Sequence, residues 1–400
     1  MIALAGEDFP GAPGCLPNAR QKLLLKAACG ATDTAREAWL RWCEGSDLTS
    51  IDAVAARLLP WIYHRRDELR LSAGDMAALE SGYRYAWFRN QRLLNGASKV
   101  VECLTVARID SILLKGLPLL VEVYGDEGGR YMEDFDIVVR EDEVVQAVAA
   151  LTAIGWQPRV PNEFSEQARG WRHSSELVNT DGLSCDLHWR LLRRPNAPVS
   201  EDPVWSAKRP LAIRDKASFT LSVEHAIVHL FVHGMSWHAV PPIRWILDAH
   251  LLLSRHTPDW VVVLGEARRR GVMLPVAEAM QTYDANLPGI IPQAVREEAC
   301  NFQPTRAQRV AHQMVTRPYE SASWEVKLAV YLSDWRKAVA FGLVPHGLRG
   351  RARHLCTYLG VDSLSALVRT LAKRCASKIR YALFAATLLA VFGFELQTLV

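Results

Sequence analysis

The sequence predicts an α+β fold: a small mixed sheet set between an N-terminal and a C-terminal helical region. Three observations carry this. Residues 18 to about 107 repeat apolar side chains every three or four positions, which is the helical period. Residues 108–195 switch to short apolar runs broken by Gly and turn residues, the pattern of strands. Beyond the polar, Pro-containing stretch RRPNAPVSEDP (193–203) the helical period returns. The expected organisation is therefore a helical region at 1–107, an α/β core at 108–195 and a helical domain at 204–400.

The bulk composition narrows the class. Four hundred residues are enough for two or three cores. Half are hydrophobic and 22% are charged, as in globular chains. A net charge of +4 is too mild to argue for nucleic acid. No specific nucleic-acid partner is expected, because no aromatic interleaving accompanies the basic stretches. The eight cysteines are scattered, without a C-x-x-C pair or zinc spacing. That fits a reduced, cytoplasmic protein with buried thiols. The opening MIALAGEDFPGAPG has neither a basic nor an apolar leader segment, so no signal peptide is expected.

The elements follow in order. NARQKLLLKAAC, TAREAWLRWCE, SIDAVAARLLPWIYHRRDEL and a long segment from Gly74 to Ala107 read as helices. DSILLKG (110–116) is an apolar run ending in Gly and reads as a strand. LPLLVEVYG reads as a short helix, with Pro118 acceptable in its first turn. DFDIVV (134–139) is a β-branched strand, and 141–155 is an amphipathic helix with Gly155 past its end. Residues 174–191 read as a hairpin around the turn NTDG. After the linker come VEHAIVHLFVHGM, PIRWILDAHLLLSR and DWVVVLGEARRRG, all helical by period. The apolar stretch 381–394 is shorter than the roughly 20 residues that span a bilayer, and reads as a buried terminal helix. The preceding 336–380 carry ten Lys/Arg against one acid, Asp362, so a peripheral membrane contact or a partner groove stays open.

The chemistry concentrates in 112–142. Asp134 and Asp136 stand two apart in a strand, so they share one face of the sheet. Two neighbouring carboxylates repel, and something must neutralise them. A hard divalent cation such as Mg²⁺ suits oxygen ligands and bridges them to phosphates. Asp186, inside the apolar run SCDLHWRL, is the candidate third carboxylate, with Glu176 a weaker one. Three such acids can clamp two ions about 3.5–4 Å apart. Upstream, Lys115 supplies a charge for phosphate, and Gly116 lets backbone N–H groups approach one at a helix start. Arg130 could add a second cation. The plain alternatives are solvated acids at a strand end, and Asp186 paired with Arg190 or Arg172.

Other positions are ambiguous. His188 shares the face of Asp186 and reads as an orienting or a structural histidine. His225, His229 and His233 recur every four residues, a polar helix seam more than a metal site, since the H-E-x-x-H pattern is absent. Arg244 and Asp248 read as an i,i+4 ion pair that could line a cleft.

The order strand, Gly turn, helix, strand with D-x-D, later strand with Asp resembles the nucleotidyltransferase superfamily with the DNA polymerase β-like fold. More narrowly, LLKG…VYG…R…EDFDIVV with CDLHWRL and RWILDAHLLL is similar to a bacterial nucleotidyltransferase family long described as uncharacterised, over about residues 50–255. The resemblance implies that Lys115 and Gly116 form the triphosphate turn. It implies that Asp134 and Asp136 bind metal, and that Asp186 is a further ligand or the base for the acceptor hydroxyl. The expected substrate is a nucleoside triphosphate, ATP foremost, with two Mg²⁺ ions; the acceptor is an unidentified sugar, small molecule or peptide. The wider superfamily has Gly-Ser where this chain has Lys-Gly, so the turn serine is missing. A nucleotide-binding sensor or scaffold without turnover is one alternative; a membrane-surface interaction protein using the basic C-terminal third is another.

Overall fold

The computed structural model describes residues 16–44, 52–160, 163–165, 169, 172–192, 199–236 and 242–316, and the single positions 335, 347 and 350. The chain divides into two compact units, Met1–Pro318 and Tyr319–Val400. All the strands among the described residues lie in the first. The 381–394 segment and nearly all of the basic 336–380 run fall outside the described residues.

The N-terminal helices form where the apolar period predicts them. Ala19–Cys29 is opened by a capping box, in which the Asn18 side chain accepts from Gln21 N and the Gln21 side chain accepts from Asn18 N. Thr32–Cys43 and three short helical pieces between Ala53 and Leu69 follow. Ser72 then caps a 34-residue helix, Ala73–Val106, that runs across the sheet.

Seven strands make one mixed sheet: β1 (Ser111–Leu114), β2 (Asp134–Val139), β3 (Trp156–Pro158), β4 (Ser174–Asn179), β5 (Ser184–His188), β6 (Arg209–Ile213) and β7 (Lys216–Thr220). Their order is β3-β4-β5-β2-β1-β7-β6, with β2–β5 and β1–β7 parallel and the other pairs antiparallel. The fold is therefore mixed α+β, as the sequence predicts. The 174–191 hairpin forms too. Asn179 Oδ1 accepts from the N–H groups of Asp181 and Leu183, and Gly182 takes a φ of +73°.

The two-residue period sorts the sheet's faces. Leu113, Phe135, Ile137 and Leu187 join the large core with Leu93, Ala97 and Val101 of the long helix. Gly96 permits this approach, since a Cβ there would sit 3.0 Å from Leu183 Cδ1 and 3.8 Å from both Phe135 and Trp156. On the opposite face Ile112, Leu114 and Val138 form a smaller cluster with Trp205 and Leu221. The acids belong to this second face.

One stretch departs from the sequence reading, which carries helices onward from 204. Instead the short helix Asp202–Ser206 is followed by the β6–β7 hairpin, whose β7 pairs with β1. Its turn is Arg214-Asp215, with no Gly or Asn to announce it, and Arg214 itself adopts a φ of +56°. The helices predicted beyond it form at Val223–Gly234, Arg244–Arg255 and Trp260–Arg269, with more to Thr316. No helix among the described residues is long and apolar enough to cross a membrane.

Candidate active site

The β2–β5 register builds the site. In this parallel pair Asp136 stands directly beside Asp186, and Asp134 beside Ser184. His188, two residues beyond Asp186, projects from the same face. Ligand atoms of Asp136, Asp186 and His188 all lie within 4.8 Å of one another, the one such cluster among the described residues. His188 Nε2 is 3.0 Å from Asp136 Oδ1.

Lys115 enters from β1, where Leu114 pairs with Asp136. It ends the strand with φ 52° and ψ −112°, a conformation that a residue with a Cβ rarely adopts. The turn sends its ammonium to Asp136 Oδ1. Gly116 follows directly and has no room for a side chain, since a Cβ would sit 2.7 Å from both Arg130 Nη1 and Met132 Sδ.

The charges do not balance. Burial works to raise the Asp136 pKa, but the Lys115 charge and the contact with His188 hold it far below the usual carboxylate range. Lys115 is in turn held above its ordinary value, because the three carboxylates outweigh its burial. Asp134 lies at the solvent-facing start of β2. Partial desolvation in the crowded cleft and the Asp136 charge push it up to about 6. Asp186 is pushed up to about 7 by the same two causes. One ammonium thus serves three carboxylates. Two carboxylates and an imidazole converge on a point that favours added positive charge, so the donor set fits a divalent cation.

The plain pairings for Asp186 do not form. Arg190 goes to Glu141 and Arg172 to Glu163. Glu176 stands across from Asp186 on β4, but its carboxylate takes Arg159 and Ser184.

Arg130 is drawn elsewhere. It forms a buried bidentate pair with Asp248, Nε to Oδ1 and Nη2 to Oδ2 at 2.9 Å each, and Tyr124 donates to Oδ1 at 2.7 Å. The expected i,i+4 pair of Arg244 with Asp248 gives way to this one, because the Arg130 fork matches both carboxylate oxygens. Arg244 instead donates to the Tyr131 carbonyl. Arg130 thereby lies beneath the Gly116 turn.

The loop carrying Arg130 is clamped from the long helix, which spacing alone does not reveal. Asn90 Nδ2 donates to the Glu127 and Arg130 carbonyls at 2.6 and 2.7 Å. Arg89 donates to Met132 O and Glu133 O at 2.8 and 2.7 Å. Asp126 accepts from Tyr83 and from Gly128 N, and lies 2.6 Å from His64 Nδ1. An Asn on the apolar side of an amphipathic helix, Asn90, was the available signal. Among the three histidines of Val223–Gly234, His225 sits 2.8 Å from Ser222 Oγ and 3.7 Å from Glu266, as a seam residue does. His229 is buried and its pKa lies well below the ordinary value, first through burial, then through the Lys115 charge.

Comparison with known proteins follows the same line. Residues 51–288 match the family model described as uncharacterised nucleotidyltransferase, which covers more than half of the chain. The chain belongs to that family. No curated protein matches it. Among solved structures it is similar to an antigenic nucleotidyltransferase-like protein from Paracoccidioides brasiliensis, at 14% identity and a TM-score of 0.34, over 51% of this chain and 92% of that one.

Proposed function

We propose that the protein is a metal-dependent nucleotidyltransferase with the DNA polymerase β-like arrangement, moving a nucleoside monophosphate from an NTP to an acceptor hydroxyl. The observation that carries this is the Asp136–Asp186 pair beside Lys115, three carboxylates with one ammonium at a Gly turn. Asp134, Asp136 and Asp186 would hold the divalent ions, Mg²⁺ in the simplest case, with His188 a fourth donor. Such ions would neutralise the triphosphate and lower the pKa of the attacking hydroxyl. Lys115 would exchange Asp136 for a phosphate oxygen when the nucleotide arrives, and Gly116 would offer its backbone N–H to the same group. Arg130 would act from beneath, fixing the turn. Asp186, held partly protonated in the free cleft, is the candidate acceptor of the hydroxyl proton. The rate gain would come from positioning and charge stabilisation. The organisation into helical region, α/β core (108–195) and C-terminal helical domain, the cytoplasmic setting and ATP as the first nucleotide belong to the same proposal.

The test is calorimetric binding of the four NTPs as α,β-non-hydrolysable analogues, with and without divalent ion. Wild type and the Asp134→Asn/Asp136→Asn double variant are compared. Metal-dependent binding to wild type alone is expected. Folded wild type that binds no nucleotide sinks the reading, whereas binding without pyrophosphate release from true NTPs and any acceptor favours a sensor.

A further inference from the structure

The two ion positions in the proposed site differ in donor chemistry. Asp134 and Asp136 offer only oxygen. Asp136, Asp186 and His188 form a mixed set, with a nitrogen among donors lying within 4.8 Å of one another. We propose that His188 is a nitrogen ligand of the second position, which therefore selects a divalent first-row transition ion over Mg²⁺. This rests on the nucleotidyltransferase reading of the cleft.

The geometry argues for a ligand. The parallel register fixes His188 on the acid face, opposite Val138 and next in line after Asp186. The ring is 1% exposed and packs edge-on against His173, with centroids 5.4 Å apart, so it has little freedom to turn away. Nε2 is aimed at Asp136 Oδ1. Nδ1 is buried and has no hydrogen-bond partner among the described residues. Here Nε2 alone is engaged, and with one of the carboxylates that would share the ion.

The chemistry argues for selectivity. Mg²⁺ prefers near-octahedral oxygen coordination and gives up its waters reluctantly. Imidazole suits first-row transition ions, and affinity for a mixed N/O site rises along that series. An Asp-only position carries no such bias. The cleft would then hold two unlike ions, Mg²⁺ with the triphosphate at Asp134–Asp136 and a transition ion on the acceptor side.

Mn²⁺ is the probe. The full-length protein, with a non-hydrolysable NTP analogue, is titrated with Mn²⁺ and Mg²⁺ in competition, and bound Mn²⁺ is read by pulsed electron paramagnetic resonance for ¹⁴N coupling. Imidazole coupling is expected, with Mn²⁺ preferred at one position by at least about tenfold, the lower range for altering a metal's ligand surroundings. In His188→Asn, its fold verified by circular dichroism, the coupling should vanish and the preference collapse. Bound Mn²⁺ in wild type without ¹⁴N coupling overturns the proposal, and so does coupling that survives in His188→Asn. Metal-dependent nucleotide binding in either of those cases leaves the nucleotidyltransferase reading standing. Failure of both ions to bind, with and without nucleotide, removes both.

Discussion

Two charge clusters flank the Gly116 turn, and they treat charge in opposite ways. Below the turn, Arg130 and Asp248 meet bidentately, Tyr124 supplies a further donor, and both side chains are buried. There the carboxylate has a full partner in the Arg130 fork, while the neighbouring Arg244 donates to a carbonyl. Above the turn, Lys115 faces Asp134, Asp136 and Asp186, and two of those carboxylates are pushed up toward neutral pH. The lower cluster ties loop to helix; the upper one keeps an excess of negative charge that a bound cation would neutralise. A folded protein keeps an excess of like charge where a ligand will neutralise it, and here a neighbouring matched pair fixes the geometry of the mismatch.

The sharpest break of the contrast is Asp136→Asn. That carboxylate touches both Lys115 and His188 and stands beside Asp186. Turnover is expected to fall by about a thousandfold, and metal-dependent nucleotide affinity with it. Pyrophosphate release and calorimetry measure the two. Unchanged nucleotide affinity would move the triphosphate off the acid face.

On the matched side the expected loss is stability. Asp248→Asn leaves the Arg130 guanidinium buried with half of its partner, a cost of about 3–5 kcal/mol in urea unfolding. The double variant Arg130→Met/Asp248→Leu should cost less than the sum of the single changes, because the Arg130 charge goes with its partner, although Arg244 and the Tyr124 hydroxyl lose Asp248. A double variant as weak as the sum of the singles would show that the pair does more than match charge.

Gly116→Ala joins the clusters. The added Cβ would press on Arg130 Nη1, which cannot yield while Asp248 holds it, and on Met132 Sδ. Overpacking of this kind costs about 1–3 kcal/mol. Nucleotide affinity should fall alongside stability. A variant as stable as wild type would mean that the loop 125–133 can shift despite its clamps.

The clamp at Asp126 gives a smaller, pH-dependent effect. Burial works against its charge, but His64, Tyr83 and Gly128 N hold its pKa down at about 2, below the ordinary carboxylate value. A carboxylate depressed by folding stabilises the protein above its unfolded pKa, and that contribution is lost as pH falls from about 4 toward 2. Asp126→Asn should therefore be about 1–2 kcal/mol less stable near neutral pH, and the gap should close in acid. A gap that is independent of pH would assign the cost to packing.

Much of this was legible in the sequence for one reason: acids inside β-branched strands break the apolar pattern that surrounds them. Asp134, Asp136 and Asp186 stand out that way, and Lys115-Gly116 stands out as a turn between apolar runs. The nitrogen donor was not legible as such. His188 follows Asp186 by two residues, but its nearness to Asp136 depends on β5 lying parallel to β2, which no local spacing announces. The Arg130–Asp248 pair spans 118 positions, and locally the neighbouring Arg244 looks the better partner. The β6–β7 hairpin was hidden because its turn uses Arg and Asp rather than Gly or Asn. In each case tertiary pairing overrode a local preference.

The finest discrimination between the clusters comes from Asp186→Asn. Its carboxylate stands beside Asp136 without an arginine of its own, so in the metal-free protein its charge is opposed by its surroundings. Removing that charge keeps the shape and relieves the repulsion. In the presence of a chelator the variant should melt slightly higher than wild type, by the equivalent of about 1 kcal/mol. Adding divalent ion should reverse the order, since wild type gains from binding while the variant has lost a ligand. Asp248→Asn should show no such reversal, because its partner is already inside the chain. If Asp186→Asn were less stable than wild type under chelation, the acid face would be a matched network like the one below it, and the excess of negative charge would no longer argue for a bound cation.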